Sequence, residues 1–242
     1  MIGKVHHCSA IELLSSLEDG SITLIPTDPF YGIGYESGWG TQIETISGSR
    51  QERKTPAGFN HPDVFDPSWL PLAAQKLRDD GAMYVCTRWD VAHLWHAAIE
   101  AAGLKVVQRI VWDKCLWGAG DLDYYGSQTE DILFCIKSRA HKLRWDKREG
   151  NVWKVGKGQV TGLDGHRGHP TQKPVALFSR MVMRSSSPGD LVVDPFVGSG
   201  SSLVAGQRLK RLVCGCDIEK VFADSANEWL EEESLSTALL FD

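Results

Sequence analysis

Pro188-Gly-Asp-Leu-Val-Val-Asp-Pro-Phe-Val-Gly-Ser-Gly-Ser-Ser202 is the stretch that decides how this chain folds. The Pro-Gly-Asp turn leads into an apolar run, Leu191-Val-Val193, that reads as a buried strand. A carboxylate, Asp194, stands at its carboxyl end, and a helix is expected over 203–209. Between them, Gly198-Ser-Gly200 lets a ligand approach the backbone closely, and the helix start offers free N–H groups. The following strand, Arg211 to Cys216, ends on Asp217, about twenty residues after the glycines, where nucleotide-binding folds place a carboxylate against ribose hydroxyls. A tight turn followed by a solvated acid is the plainer alternative. A third glycine and a Gly-Lys-Ser/Thr sequence are both missing, so the ligand need not carry phosphates.

A second strand end of this kind lies far upstream. Ser21-Ile-Thr-Leu-Ile-Pro26 reads as a strand and runs into Thr27-Asp28-Pro29-Phe30-Tyr31, followed by the glycine-rich 32–38. A carboxylate, a proline and two aromatics at the carboxyl end of a strand occupy the place where open α/β sheets bind ligands. Elsewhere, strands are expected at 4–8, 82–87, 106–112 and 130–137, with pairing of the last two as one option. Helices are expected at 10–17 (Ile11, Leu13, Leu14 and Leu17 inward), 69–78, 91–102 and 175–184, with a final helix carrying Glu231-Glu-Glu233. Such alternation predicts an α/β protein with a mostly parallel sheet and helices on both faces. Residues 32–67 show little periodicity, which in a stretch of this length points to function or mobility.

Composition narrows the class. The chain has 242 residues, 42% apolar and 24% charged, enough for one large core. It has no eighteen-residue apolar run and its amino terminus lacks a signal peptide's apolar core, so a soluble, cytoplasmic protein with no membrane partner is expected. The six cysteines show neither disulfide nor zinc spacing, and no metal is expected; Cys214 and Cys216 read as small core hydrophobes. The net charge is −5, yet residues 137–169 carry a local +6. A basic segment on an acidic body suits a polyanion met along one face, although a solvated loop alone would give the same count.

Asp-Pro-Phe-x-Gly-Ser-Gly-Ser at 194–201, His169-Pro-Thr-Gln-Lys-Pro174 and Asp28-Pro-Phe-Tyr31, in this order, resemble the β group of DNA amino-methyltransferases. In that group the catalytic half precedes the half that binds S-adenosylmethionine. The resemblance covers almost the whole chain, including Ile110-Val-Trp-Asp-Lys114 and Asp131-Ile-Leu-Phe134. It implies a Rossmann-like methyltransferase formed as one domain over 1–242: a catalytic half 1–137, a target-recognition insert 138–168 and a cofactor-binding half 169–242. Asp194, Phe196 and the loop of Gly198, Ser199, Gly200, Ser201 and Ser202 would hold the methionine part of the cofactor, next to Thr27. Asp217 would take its ribose hydroxyls, and Thr171 with Lys173 would close over it. Asp28 and the Pro29 carbonyl would accept the two N–H bonds of a target amine while Tyr31 stacks on the base.

The chemistry gives those groups a purpose. An exocyclic amine on adenine or cytosine is a poor nucleophile because its lone pair is delocalised into the ring. Two acceptors on its hydrogens favour a pyramidal nitrogen and free that pair. Within a duplex the amine is out of reach, so the base must be flipped into a pocket. Double-stranded DNA is therefore the implied partner, engaged through Arg50, Arg53, Lys54, Arg139, Lys142, Arg144, Lys147 and Arg148, with Trp39, Trp117 and Trp145 placed to stack on bases. Adenine N6 is favoured over cytosine N4, because Asp at the first motif position accompanies adenine more often in the family. So short an insert implies help from a homodimer or a second protein. The chain departs from the family twice. Phe30 stands where a second proline is usual, so Pro29 loses a restraint on its carbonyl. Ser9 stands where an acid near the cofactor's adenine is common; a serine can still hydrogen-bond, so weaker or differently arranged cofactor binding is expected. A nucleic-acid-binding protein that keeps the fold without the reaction is the rival reading; methylation of RNA or of a protein amide is a third.

Overall fold

The computed structural model describes residues 2–31, 64–117, 125–144, 147–156, 164–165, 167, 169 and 171–238. Eight strands form one sheet: β1 (Lys4–His7), β2 (Ile22–Thr27), β3 (Leu77–Thr87), β4 (Lys105–Asp113), β5 (Thr129–Ile136), β6 (Val152–Lys154), β7 (Leu191–Asp194) and β8 (Leu212–Asp217). Their order is β1-β8-β7-β2-β3-β5-β4-β6, parallel except for β5, which runs antiparallel to both β3 and β4. Among the described residues six helices accompany the sheet: α1 (Ala10–Ser15), α2 (Leu70–Lys76), α3 (Ala92–Ala101), α4 (Val175–Ser185), α5 (Ser201–Arg208) and α6 (Lys220–Ala238).

Successive strand side chains point to opposite faces, and here both faces are dry. Leu24, Tyr84, Phe134 and Val192 enter one layer with α4, α5 and α6; Ile25, Val85, Leu133 and Val193 enter the other with α1, α2 and α3. This explains why the strands read as near-continuous apolar runs rather than alternating ones. Cys214 and Cys216 lie in the second layer as small buried side chains. Trp95, fully buried, meets Phe65 edge-on at 4.9 Å and Trp69 at 6.2 Å, and Trp69 meets Phe196 at 5.2 Å. Such ring pairs add about 0.5–1.5 kcal/mol each beyond area burial. They tie α2 and α3 to the loop after β7.

Several local readings change. Ile11 is exposed while Leu13 and Leu14 are buried, because α1 is only six residues long and spends its first turn on a cap. Asp79-Asp80-Gly81, expected to end a helix, lies inside β3. Ile22 pairs with Leu77 and Leu24 with Ala82, so Arg78–Gly81 bulges out of the ladder. A side chain at Gly81 would lie 2.9 Å from the Arg78 carbonyl. β6, unforeseen, extends the sheet inside the expected insert. At the opposite margin, the Asn227 side chain of α6 accepts from the Val5 N–H and donates to the Val5 carbonyl, both at 2.8 Å. β1 pairs with β8, so the first strand joins the β7–β8 half of the sheet despite its place in the chain.

Candidate active site

From β2 the chain moves one way across the sheet, to β3; from β7 it moves the other way, to β8. The crevice between β2 and β7 is thus the point where strand order reverses, the expected ligand site of an open α/β sheet. Thr27 and Asp194 end these two strands, and the Thr27 hydroxyl donates to Asp194 Oδ1 at 2.7 Å. The Phe196 N–H donates to the same oxygen at 3.0 Å and the Ser202 hydroxyl to the other. Asp194 is 1% exposed. Burial raises its pKa to about 6, against the pull of these donors.

Asp194 thus turns inward and braces the loop from beneath. Ser199 and Ser201 share a buried 3.0 Å hydrogen bond, so Ser199, Ser201 and Ser202 are likewise occupied inside, and the loop's outward offering is its backbone. Gly198 (φ +52°) and Gly200 (φ +97°) adopt left-handed geometry that side chains resist. The Gly198 N–H donates to Asp217 Oδ2 and the Glu219 N–H to Oδ1, each at 2.8 Å. Asp217 is thereby fixed at the end of β8, beside the glycine loop. The Ser9 hydroxyl takes part in a capping box with Glu12 at the start of α1, which gives that residue a helix-terminating use. Thr171 is exposed, with its hydroxyl 3.4 Å from His169 Nδ1. Burial, then the Lys173 ammonium, pushes His169 down to about 3, so its ring, edge-on to Phe222 at 4.5 Å, is neutral.

One residue beyond Thr27, Asp28 enters a charge cluster. The Tyr31 hydroxyl donates to Asp28 Oδ1 at 2.9 Å and lies 3.2 Å from Glu130 Oε2. Lys173 Nζ donates to Asp28 Oδ2 and, at 3.0 Å, to the Tyr31 oxygen. It also lies 3.5 Å from Glu130 Oε2, while Lys114 Nζ lies 3.3 Å from Glu130 Oε1. Two ammonium groups thus balance two carboxylates around one phenol. Burial raises the Asp28 pKa and Lys173 opposes it. Burial disfavours the Lys173 ammonium, yet Asp28 and Glu130 outweigh it and its pKa rises. Burial also works against Glu130, and here Lys173 and Lys114 prevail, holding it below the ordinary carboxylate range. Pro29 is buried, with Phe30 and Tyr31 half-buried beside it.

Lys173 therefore reaches the Asp28 carboxylate. It precedes Pro174, which confines it to extended backbone just before α4. Glu130 and Lys114 escaped the sequence reading. The available signal was a pair of opposite charges at the adjoining ends of two neighbouring strands, since Trp112 pairs with Glu130 across β4 and β5.

Among the described residues, the basic ones of 138–148 do not converge on this site. The Ser138 hydroxyl donates to the Asp79 carbonyl and His141 contacts the Asp80 carbonyl, at the amino end of β3. The Arg144 N–H donates to the carbonyl of Arg184, on the last turn of α4. Exposed Arg139, Lys142 and Arg144 thus sit one strand length from Asp28, about 17 Å at 3.3 Å per residue. Lys147 and Arg148, also exposed, precede Glu149, which pairs with Arg180 and Arg184. Only with β6, parallel to β4, does the chain climb back to place Lys154 opposite Asp113. Arg50, Arg53, Lys54, Trp39 and Trp145 lie outside the described residues. Trp117 is 71% exposed at the Asp28 end of the sheet.

A family model described as DNA methylase matches residues 22–228. The Type II methyltransferase M2.DpnII of Streptococcus pneumoniae is 31% identical, over 94% of this chain and 89% of its own length. The Type II methyltransferase M.HpaI of Haemophilus parainfluenzae is 29% identical, over 93% and 74%. Among solved structures, M1.HpyAVI in complex with SAM superposes with a TM-score of 0.67 at 21% identity, covering 93% of this chain and 98% of that one. The cytosine-N4-specific PvuII DNA methyltransferase superposes with a TM-score of 0.61 at 13% identity, covering 95% and 92%. At these identities the structural likeness is one of fold. Among the described residues no helix is long and apolar enough to cross a membrane.

Proposed function

Because this chain belongs to the DNA methylase family, we propose that it transfers a methyl group from S-adenosylmethionine to the exocyclic N6 of adenine in double-stranded DNA. The observation that carries the reading is the Thr27–Asp194 hydrogen bond. It fastens the strand end bearing Asp28 to the strand end bearing the glycine loop, so an acceptor for an amine and a seat for a cofactor share one crevice. The residues present fit S-adenosylmethionine: a backbone-lined loop at the start of α5, and the Asp217 carboxylate at the end of β8, beside that loop, where a ribose diol would lie. When bound, the cofactor supplies an electrophilic sulfonium methyl.

Asp28 and the Pro29 carbonyl accept the amine hydrogens, and Tyr31 offers its ring to the flipped base. With the cofactor held by the 198–202 loop, Asp28 and the Pro29 carbonyl would orient the amine nitrogen toward the methyl group that it supplies. The product nitrogen then sheds one proton, and Asp28, whose pKa burial raises, is placed to receive it. The single sheet supports reading 1–242 as one catalytic domain, with target contacts from the loops at the Asp28 end, Lys154 among them. We assign it a second copy or a partner protein on DNA, because the basic residues of 138–148 lie at the far end.

Incubation with methyl-labelled S-adenosylmethionine and separate DNA, RNA and protein acceptors, followed by nucleoside analysis, tests the reading. N6-methyladenine is expected. N4-methylcytosine would move the specificity to cytosine, and no transfer to DNA while the cofactor binds would overturn the proposal.

A further inference from the structure

We propose that Lys173 is a stand-in for the target amine: its ammonium occupies Asp28 between turnovers and shifts to Glu130 when an amine arrives. The inference rests on the reading of Asp28 as the amine acceptor. Both Asp28 oxygens already receive a donor, Lys173 Nζ on one and the Tyr31 hydroxyl on the other. An exocyclic amine offers the same chemistry as the ammonium, N–H bonds directed at a carboxylate, so the two compete for one place.

A lysine displaced from Asp28 into a site this enclosed needs another anion. Glu130 Oε2 is 3.5 Å from Nζ, close enough for the ammonium to transfer by side-chain rotation alone. Lys114, itself buried, holds the other Glu130 oxygen and keeps that carboxylate ionised and in place. Lys173 also donates to the Tyr31 oxygen at 3.0 Å, a contact that lies between the two carboxylates and can be kept in either position. The arrangement solves a problem of an unliganded pocket, since a buried carboxylate with no counter-charge is costly. Glu130 is thus a positioning residue, acting on Lys173 and not on the target.

The test is a mutant cycle on the DNA that the wild-type protein methylates. Glu130→Gln leaves Lys173 no second anion, so the KM for DNA should rise about tenfold while S-adenosylmethionine affinity, measured by calorimetry, stays within twofold. Glu130→Asp should recover most of the loss. Adding Lys173→Met to Glu130→Gln removes the occupant and should lower the KM again, a reversal that independent structural damage would not produce. Lys173→Arg covers the case in which the Glu130 variants fail to fold. Its forked guanidinium matches a carboxylate better than an ammonium does and should raise the KM for DNA. An unchanged KM in Glu130→Gln or Lys173→Arg, or a double variant worse than Glu130→Gln, would overturn the proposal. A wild-type protein that methylates no DNA would instead remove the functional reading beneath it.

Discussion

Asp194→Asn offers a measurement of how the buried brace beneath the glycine loop works. The folded-state pKa of Asp194 is about 6, against an unfolded value of about 3.9. At about 1.36 kcal/mol per unit the difference amounts to about 3 kcal/mol. Because the folded pKa is raised, the stabilising contribution is fully present below about pH 4 and is lost as pH rises through about 6. Asparagine does not titrate there. Its carbonyl can still accept from Thr27 and from the Phe196 N–H, and its amide can donate to Ser202, whose hydroxyl turns from donor to acceptor. The stability of the variant relative to wild type should therefore grow by about 3 kcal/mol between pH 4 and pH 7. For a chain of this size that is roughly 6–12 °C in Tm, readable by circular dichroism melts of both proteins across that range. A difference that stays constant with pH, or shrinks as pH rises, would refute the placement of a costly buried charge at Asp194.

Asp28→Ala should abolish methyl transfer while Phe30→Pro retains or raises it, with labelled transfer as the assay; an inactive, well-folded Phe30→Pro protein would give Phe30 a role of its own. Gly200→Ala, at φ +97° with the new Cβ 3.1 Å from Ala226 Cβ, should cost about 1–2 kcal/mol and weaken cofactor binding by calorimetry. Thr27→Val, isosteric but without the donor to Asp194, should cost about 1–3 kcal/mol in urea unfolding. Neutralising Arg139, Lys142 and Arg144 together should leave the salt dependence of DNA binding unchanged. A slope smaller by about 2.7, at about 0.9 per phosphate contact, would put the duplex at the amino end of the sheet after all.

What the sequence disclosed was whatever depends on neighbours in the chain. The glycines at 198 and 200, the acids closing β7 and β8 and the apolar strand runs all express local constraints, and each lies where expected. What it concealed depends on encounters across the fold. Nothing local in Val152-Trp-Lys154 distinguishes a three-residue strand from a loop; it is a strand because β4 presents a free edge to it. The helix-stop signal at Asp79-Asp80-Gly81 was real as a break, but pairing with β2 converted it into a bulge. The basic run looked like one patch because charge was counted along the chain, and α4 and the amino end of β3 hold most of it away from the crevice. Lys173 and Glu130 became partners only when β5 was laid beside β3 and β4.

The two hydrogen bonds between Asn227 and Val5 have a bearing on assembly. An outer strand normally offers unpaired amide and carbonyl groups on which a foreign strand can build. Here a side-chain amide imitates one residue of such a neighbour and leaves nothing at Val5 to template it. The opposite margin is the three-residue β6, too short to seed an extension. At Val5 and at β6 the sheet therefore offers a foreign strand little backbone on which to build.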